Sequence, residues 1–103
     1  MKRVAVVILN WNGEKFLRQF LPGVIKHSEL LADVVVIDNA STDHSLSVLR
    51  NEFPSVAIVE LDKNYGFAGG YNHGLRQVAN EFYVLLNSDV EVTPDWIAPV
   101  LSY

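Results

Sequence analysis

The segment Val4–Gly13 reads VAVVILNWNG, an unbroken apolar and mostly β-branched run followed by a polar turn. A continuous apolar run of this kind is typical of a strand that is covered on both faces in a parallel sheet. Three further runs share its character, Val34–Ile37, Val56–Leu61 and Phe82–Leu86, and about twenty residues separate each run from the next. That spacing fits a crossover helix and is too long for a hairpin. The sequence therefore predicts an α/β fold of the Rossmann-like type, with a mostly parallel sheet of about four strands, the first being Val4–Leu9, and helical crossovers.

The first crossover carries the clearest helical pattern. From Phe16 to Ile25 apolar residues recur at i, i+1, i+4 and i+5, which gives one wide apolar face. Asn12 is the expected N-cap, because its short polar side chain can accept a hydrogen bond from a free backbone N–H group. Pro22-Gly23 is expected to kink or end this helix in its last turns.

The later helices are predicted from shorter patterns. The second should present Leu46, Leu49 and Phe53 on one face, and the third should begin somewhere in Ala68–Asn72. Thr93-Pro94 is typical of an N-cap followed by proline at the first helical position. The chain stops at Tyr103, about two turns into that last helix. We therefore expect a truncated domain, or one that covers the new apolar face by self-association.

Length and composition exclude several classes of protein. The chain has 103 residues, half of them apolar, so residues 1–103 are expected to form a single domain. Without cysteine it has no disulfides, thiolate zinc site or iron–sulfur cluster, which suits a reducing compartment. A net charge of −4 argues against nucleic-acid binding. The longest apolar run, Val4–Leu9, is too short for a transmembrane helix or a signal peptide.

Polar residues gather directly after the four predicted strands. In open parallel sheets, ligands bind beyond the carboxyl ends of the strands, where the loops converge on the N-termini of helices. The sequence therefore predicts a ligand site at this edge. Its loops are NWNG at 10–13, DNASTD at 38–43, DKNYG at 62–66 and NSD at 87–89.

Two common nucleotide motifs are absent from these loops. A dinucleotide-binding turn needs G-x-G-x-x-G after the first strand, and Asn10–Gly13 supplies a single glycine. A phosphate-binding P-loop needs G-x-x-x-x-G-K-[ST]. Gly69 and Gly74 have that spacing, but Leu75-Arg76 follows them.

The remaining polar residues each have a functional and a structural interpretation. Asp38 could accept hydrogen bonds from a ribose or a base, or it could form an Asx-turn. Asp43 fits the start of a helix better than a ligand. The carboxylate in Asn87–Asp89 could hold Mg²⁺ or Mn²⁺ and through it a diphosphate, or the three residues could simply form a turn. The glycines of Gly66–Gly74 favour either an anion site at a helix start or close helix–sheet packing.

Taken together, four segments resemble a known family. They are VAVVILNWNG (Val4–Gly13), VVIDNASTDHS (Val35–Ser45), NYGFAGGYNHG (Asn64–Gly74) and YVLLNSDV (Tyr83–Val90), with Thr93–Trp96 beyond them. In this order and spacing they resemble the N-terminal, nucleotide-sugar-binding half of family 2 glycosyltransferases, which have the GT-A fold. The resemblance covers essentially the whole chain.

The resemblance implies a role for each matching residue. Leu9, Asn10 and Trp11 would line the base pocket, and Asp38 would contact the base, usually uracil or thymine. The stretch near the ribose and diphosphate would include Asn64, Gly66, Gly70 and Tyr71. The place of the family's D-x-D motif is taken by Asn87, Ser88 and Asp89, of which Asp89 would hold the Mg²⁺ or Mn²⁺ that bridges the diphosphate.

Two positions depart from the general family pattern. Asn87 stands in place of the first aspartate of D-x-D, and Tyr71 stands where an arginine is usual. Together with the Gly66–Gly70 run, these changes resemble the subgroup that contains bacterial rhamnosyltransferases. The implied donor is dTDP-rhamnose, with UDP-sugars as the next choice.

The implied activity is transfer of the sugar to a glycan or lipid-linked glycan of the bacterial surface, in the cytoplasm or at the inner face of the plasma membrane. Family members carry the acceptor site and the catalytic base in a later segment, so this chain alone is expected to be inactive and could dimerise through the surface left open. The alternative is a stand-alone nucleotide-binding or regulatory module, which would lack transferase activity. A sugar-nucleotide nucleotidyltransferase would need a glycine-rich, basic loop after the first strand, and Asn10–Gly13 is neither glycine-rich nor basic.

Overall fold

Four parallel strands form a single sheet in the computed structural model of the protein, which describes residues 2–87, 92, 94, 96 and 97. The strands alternate with three helices, as predicted, and the α/β fold is confirmed. The elements are β1 (Val4–Asn10), α1 (Glu14–Ser28), β2 (Ala32–Asp38), α2 (Ser45–Glu52), β3 (Ala57–Glu60), α3 (Gly66–Leu75) and β4 (Phe82–Asn87).

The order of the strands, β3-β2-β1-β4, determines where a ligand can bind. The chain moves outward from β1 to β2 and β3, then crosses back so that β4 pairs with the other side of β1. At such a reversal the loops that follow two neighbouring strands run to opposite faces of the sheet and leave a crevice at its carboxyl end. Here the reversal falls between β1 and β4, whose ladder ends at the register pair Leu9 and Asn87.

Helices cover both faces of the sheet at β1 and β2, which explains why these two strands are continuously apolar. On one face α1 and α2 pack Leu21 and Leu49 against β-strand residues such as Val36. On the other face Tyr71 of α3 packs with the side chains around Ile37. All five of these side chains are buried, and full burial of a large aliphatic side chain contributes about 1.5–3 kcal/mol.

Helix α1 differs from its prediction at both ends. It begins at Glu14, after Gly13, and Asn12 is not its N-cap, because Asn12 has a positive φ of 50° and its side chain bonds the loop after β2 instead. The helix also continues through Pro22 to Ser28, so the prediction that Pro22-Gly23 could end it was wrong. Pro22 is exposed, and water can therefore solvate the helix carbonyl that lost its N–H partner.

The other helices agree in existence and differ in detail. Helix α2 buries Val48 and Leu49 and is followed by buried Phe53, whereas the predicted Leu46 is only half-buried. Helix α3 begins at Gly66, two residues before the predicted range, because the Asn64 side chain accepts the Gly66 N–H at 2.7 Å and φ is +77° at this glycine. The predicted start of a last helix at Thr93 lies outside the described residues.

Candidate functional site

A cleft of about 470 Å³ opens at the carboxyl end of the sheet, beside the paired ends of β1 and β4. Aromatic rings stand at its rim, with Trp11 55% and Phe67 66% exposed. Its lining comes from the ends of β1 and β4, from the loops after β1, β2 and β3, and from the first turns of α1 and α3. These residues are Leu9, Trp11, Asn12, Gly13, Phe16, Asn39, Asn64, Gly66, Phe67 and Asn87.

Asn10 and Asp38 form a fully buried polar pair at the floor of this region. They are register partners at the ends of β1 and β2, and Asn10 Nδ2 donates to Asp38 Oδ1 at 3.0 Å. The Ser41 hydroxyl and backbone N–H also donate to the Asp38 carboxylate, at 2.7 and 3.0 Å. The Asp38 carboxylate thus stabilises the turn that follows β2, in agreement with the structural interpretation of this residue. Asn10 Oδ1 is buried and meets no donor among the described residues.

Asn39 holds together the loops on the far side of the cleft. It is 2% exposed, and its Nδ2 donates to Asn64 Oδ1 at 3.1 Å and to the Gly66 carbonyl at 3.0 Å. Its Oδ1 accepts the Tyr65 N–H at 3.0 Å, and its own N–H donates to the Asn10 carbonyl at 2.8 Å. One amide side chain therefore fixes the start of α3 relative to the ends of β1 and β2.

Asn12 plays a similar part between the loops after β1 and β2. Its Oδ1 accepts the Thr42 N–H at 2.6 Å and the Asp43 N–H at 3.2 Å, while its own N–H donates to Ser41 Oγ at 2.9 Å. Because Asn12 also lines the cleft, this bonding makes that wall a fixed part of the loop structure.

Asp43 is structural, as its position suggested. Its carboxylate accepts the backbone N–H groups of Glu14 and Ser45, the first residues of α1 and α2. Burial would raise the pKa of Asp43, but the hydrogen bonds from Ser45 and Glu14 outweigh it and lower the pKa below its ordinary value. On the other side of the cleft the Tyr65 hydroxyl donates to Asp62, which lowers the pKa of Asp62 and raises that of Tyr65.

Helix α3 lies unusually close to the sheet because of its glycines. A Cβ at Gly70 would lie 2.7 Å from Leu9 Cδ1 and 2.9 Å from Asn39 Nδ2. A Cβ at Gly74 would lie 2.6 Å from Ile37 Cγ2. The packing interpretation of these two glycines therefore holds, and the same packing brings the start of α3 to the cleft.

The structure brings most of the predicted binding residues to one place, in two layers. Leu9, Trp11, Asn64, Gly66 and Asn87 line the cleft. Directly behind them, buried, are Asn10, Asp38, Gly70 and Tyr71. Ser88 and the predicted metal ligand Asp89 lie outside the described residues.

Five lining residues were not among the predicted site residues: Asn12, Gly13, Phe16, Asn39 and Phe67. Asn12 and Asn39 lie within the quoted motifs, and only their contacts distinguish them from ordinary turn residues. Phe16 was assigned to the apolar core face of α1, yet it is exposed and lines the cleft. Phe67 lies between Gly66 and Gly69-Gly70, and an aromatic residue inside a glycine-rich segment is a sequence signal that could have identified it.

A larger hollow, of about 660 Å³, lies at the opposite end of the sheet. Three of its polar residues bond one another, since Asn80 Nδ2 donates to Asp33 Oδ2 and to the Lys2 carbonyl, and the Lys2 N–H donates to the same carboxylate. Most of the remaining lining is aliphatic. Nothing there matches the loops that the sequence singled out, so the smaller cleft is the better candidate.

Two features are absent from the described part of the chain. Across residues 2–87 and the four described beyond them, no three acidic or histidine side chains cluster as a preformed metal site. Within the same part of the chain, no helix combines the length and the apolar character needed to cross a membrane.

Comparison with known proteins now identifies the family. Residues 5–103 match the family model described as glycosyl transferase family 2. The chain belongs to glycosyl transferase family 2. Among curated family members, it is 30% identical over 109 residues to the poly(ribitol-phosphate) β-N-acetylglucosaminyltransferase TarS of Staphylococcus aureus, covering 100% of this chain and 19% of TarS.

Solved structures of the family share this fold. The crystal structure of S. aureus TarS 1–349 in complex with UDP-GlcNAc has a TM-score of 0.80 at 27% identity and covers 99% of this chain and 30% of that one. The mannosyltransferase PcManGT of Pyrobaculum calidifontis, in complex with GDP-Man and Mn²⁺, has a TM-score of 0.85 at 26% identity and covers 98% of this chain and 32% of that one. The fold is therefore that of GT-A glycosyltransferases.

The match in length is partial. The chain spans 32% of an uncharacterized glycosyltransferase of Haemophilus influenzae and 19% of TarS, so between a fifth and a third of these relatives.

Proposed function

We propose that this chain is the donor-binding part of a glycosyltransferase that takes a sugar from a nucleoside diphosphate sugar. The observation that carries the proposal is the cleft beside the ends of β1 and β4. Exposed aromatic rings, amide side chains and the N-terminus of α3 converge there. Rings bind a base by stacking, amides bind its polar edges and ribose hydroxyls, and the free N–H groups of a helix start suit phosphate.

The base belongs at the Trp11 end of the cleft. Trp11 offers a free ring face for stacking, and Leu9 forms an apolar wall beside it. Below them Asn10 Oδ1 lacks a donor, and Asp38 uses three of the roughly four acceptor positions of its carboxylate. A base with an N–H between two carbonyl groups, as in uracil or thymine, would supply the missing donor, provided that the wall in front of these buried side chains opens on binding.

The diphosphate belongs at the other end, between α3 and β4. Gly66 begins α3, and Asn64 beside it orients that start. The close approach of Gly70 to Leu9 brings the helix dipole to the cleft, which favours an anion.

The same end would hold a divalent cation. Asn87 is exposed at the last position of β4, and amide and carboxylate oxygens are the ligands that Mg²⁺ and Mn²⁺ prefer. The donor set at Asn87, Ser88 and Asp89 thus suits such an ion, with Asp89 as its carboxylate ligand. The ion, when bound, would supply positive charge to the departing nucleoside diphosphate.

For the donor we propose dTDP-rhamnose or a UDP-sugar. The rhamnosyltransferase-like subgroup rests on Gly66–Gly70, Tyr71 and Asn87, where the sequence departs from the general pattern. UDP-sugars are supported by TarS, whose structure contains UDP-GlcNAc. PcManGT contains GDP-Man, so a guanine nucleotide is the comparison that a binding experiment should include.

The acceptor we propose is a glycan or lipid-linked glycan of the bacterial surface, reached in the cytoplasm or at the inner face of the plasma membrane. The catalytic base, which takes the proton of the acceptor hydroxyl as it attacks the anomeric carbon, would come from outside residues 1–103. This chain would then supply the donor site and no base, and we expect no useful transferase activity from it alone.

We also propose that a second copy of the chain pairs along β4. One edge of β4 bonds to β1, while no strand in the described part of the chain covers the other edge. Phe82, Tyr83 and Leu85 on this strand are exposed, and an uncovered apolar edge favours pairing. A monomeric mass in light scattering at high protein concentration would overturn this proposal.

A calorimetric titration tests the donor-binding function. The chain is titrated with dTDP, UDP and GDP, each with and without Mn²⁺, and the series is repeated on Asp89→Ala. Glu81→Ala is the matched control, because it removes an exposed carboxylate at the opposite end of β4. We expect saturable, metal-dependent binding of dTDP or UDP that Asp89→Ala loses and Glu81→Ala keeps.

Two other outcomes count against parts of the proposal. Binding that ignores both Mn²⁺ and Asp89 would leave a nucleotide-binding module and remove Asp89 as a metal ligand. A folded chain that binds none of the three nucleotides would contradict the donor-binding function.

A further inference from the structure

Tyr71 contacts the end of β4 from beneath the cleft. It lies in α3 and is 5% exposed, and its hydroxyl donates to the Leu86 carbonyl at 3.2 Å. Leu86 is followed directly by Asn87, the last residue of β4. Burial raises the pKa of Tyr71, against a smaller opposing effect of the Leu9 backbone amide, so the hydroxyl keeps its proton at neutral pH and acts as a donor.

This hydrogen bond links two elements that are otherwise joined weakly. Helix α3 meets β1 and β2 directly, with Gly70 against Leu9 and Gly74 against Ile37. Among the side-chain hydrogen bonds of the described residues, the one from Tyr71 joins α3 to β4. β4 lies at the edge of the described sheet, so its carboxyl end is held by β1, by the packing of Leu86 against the core and by this hydrogen bond.

The hydrogen bond from Tyr71 to Leu86 also lies next to two walls of the cleft, one formed by the start of α3 and the other by the end of β4. Leu9 and Asn87 are the last register pair of the β1–β4 ladder, and both line the cleft. The Phe67 ring, on the opposite wall, meets the Tyr71 ring edge-on with centroids 5.2 Å apart. The buried Tyr71 side chain therefore contacts Phe67 on the α3 wall and the Leu86 carbonyl next to the β4 wall.

We propose that Tyr71 is a positioning residue, whose hydroxyl fixes the Asn87 end of β4 against α3 and so sets the spacing of the diphosphate end of the cleft. The inference rests on the proposed function for its ligand. It differs from a direct contact between Tyr71 and the nucleotide, because the hydroxyl is directed to a strand carbonyl and the ring is covered by Phe67.

Tyr71→Phe tests the role, since it deletes the hydroxyl and keeps the buried ring and its contact with Phe67. Tyr83→Phe is the matched control, because the Tyr83 hydroxyl also donates to a backbone carbonyl, that of Val78 at 2.7 Å, near the other end of β4. Both variants lose one hydrogen bond of the same kind, and only Tyr71→Phe loses it at the cleft.

The first readout is amide hydrogen exchange by NMR on the free chain, which needs no ligand. Exchange at Ile8–Asn10 and Leu85–Asn87 should speed up about threefold to tenfold in Tyr71→Phe, relative to the other end of the same ladder at Val4–Val6 and Phe82–Val84. Tyr83→Phe should leave the cleft end within about twofold of the parent chain. Equal exchange at the cleft end of the parent chain and Tyr71→Phe would overturn the inference.

The second readout separates positioning from general stability. Affinity for dTDP in the presence of Mn²⁺ should fall about threefold to tenfold in Tyr71→Phe, while affinity for thymidine, which lacks the diphosphate, changes less than about twofold. Equal losses for both ligands, or none, would refute the positioning role. A parent chain that binds neither ligand would instead refute the proposed function, and the exchange result would then show only whether Tyr71 holds β4.

Discussion

Replacing Asn39 with aspartate is the sharpest perturbation of the polar framework of the cleft. The two side chains have the same shape, so packing is preserved and only the hydrogen-bonding character changes. Asn39 donates through Nδ2 to Asn64 Oδ1 at 3.1 Å and to the Gly66 carbonyl at 3.0 Å. A carboxylate cannot donate either bond, and both would become contacts between two acceptors.

The expected loss of stability follows from these two contacts. Asn39 is 2% exposed, so water does not replace the lost donors. Leaving a buried group unsatisfied costs about 1–3 kcal/mol, and two such groups give about 2–4 kcal/mol at pH 7 once partial relaxation is allowed for. The Tyr65 N–H still finds an acceptor, so its hydrogen bond is kept.

The same substitution makes a prediction about pH. Burial raises the pKa of the introduced carboxyl above its value in the unfolded chain, which is about 3.9. A raised acidic pKa destabilises the folded state most above that pKa, and the deficit shrinks as pH falls through it, because the protonated carboxyl regains one donor. The stability gap between Asn39→Asp and the parent chain should therefore be smaller at pH 5 than at pH 7.

Urea unfolding followed by far-UV circular dichroism, at pH 7 and at pH 5, measures both effects. Asn51→Asp is the control, since Asn51 is exposed on α2 and the same charge there should cost less than about 0.5 kcal/mol. The reasoning is refuted if Asn39→Asp costs no more than Asn51→Asp, or if its deficit grows as the pH falls.

Three further outcomes follow from the described contacts. Gly74→Ala should lose about 1–3 kcal/mol in urea unfolding because its Cβ collides with buried Ile37, whereas Gly23→Ala, with open space around it, should lose nothing. The lowered pKa values of Asp33 and Asp43 predict stability that is present above about pH 4 and lost as pH falls through the folded-state values, to be checked by an acid titration of the circular dichroism signal. Trp11→Ala should weaken dTDP binding about tenfold in calorimetry without changing the urea midpoint, because the ring is exposed.

The centre of the sheet could be predicted because β1 and β2 are covered on both faces. A run such as Val4–Leu9 is unbroken and β-branched only where helices lie above and below, and α1 and α3 do so here. Strand order could not be read in the same way, since nothing in the residues of Phe82–Leu86 distinguishes pairing with β1 from pairing with β3.

The ends of the helices were harder to predict because a capping residue and a loop residue have the same chemistry. Asn12 is the kind of side chain that caps a helix, yet it accepts the N–H groups of Thr42 and Asp43, which come close only in the folded chain. Pro22 is the kind of residue that ends a helix, yet it lies on the exposed side of α1, where a carbonyl without a partner is tolerated.

The candidate site was predictable as a region and less so by residue. The polar turns after each strand located the edge, and Leu9, Trp11, Asn64 and Asn87 are found on the cleft. The role of Asn39 depends on three partners far from it in sequence, so no local pattern reveals it.

The central claim, that the cleft at the carboxyl ends of β1 and β4 binds a nucleoside diphosphate, is tested most directly by mapping dTDP binding in the presence of Mg²⁺ with amide NMR shifts. We predict the largest shifts at the Trp11 indole and at the side-chain amides of Asn39 and Asn64, all on the 470 Å³ cleft. Shifts confined to the larger hollow around Asn80, at the other end of the sheet, would contradict it.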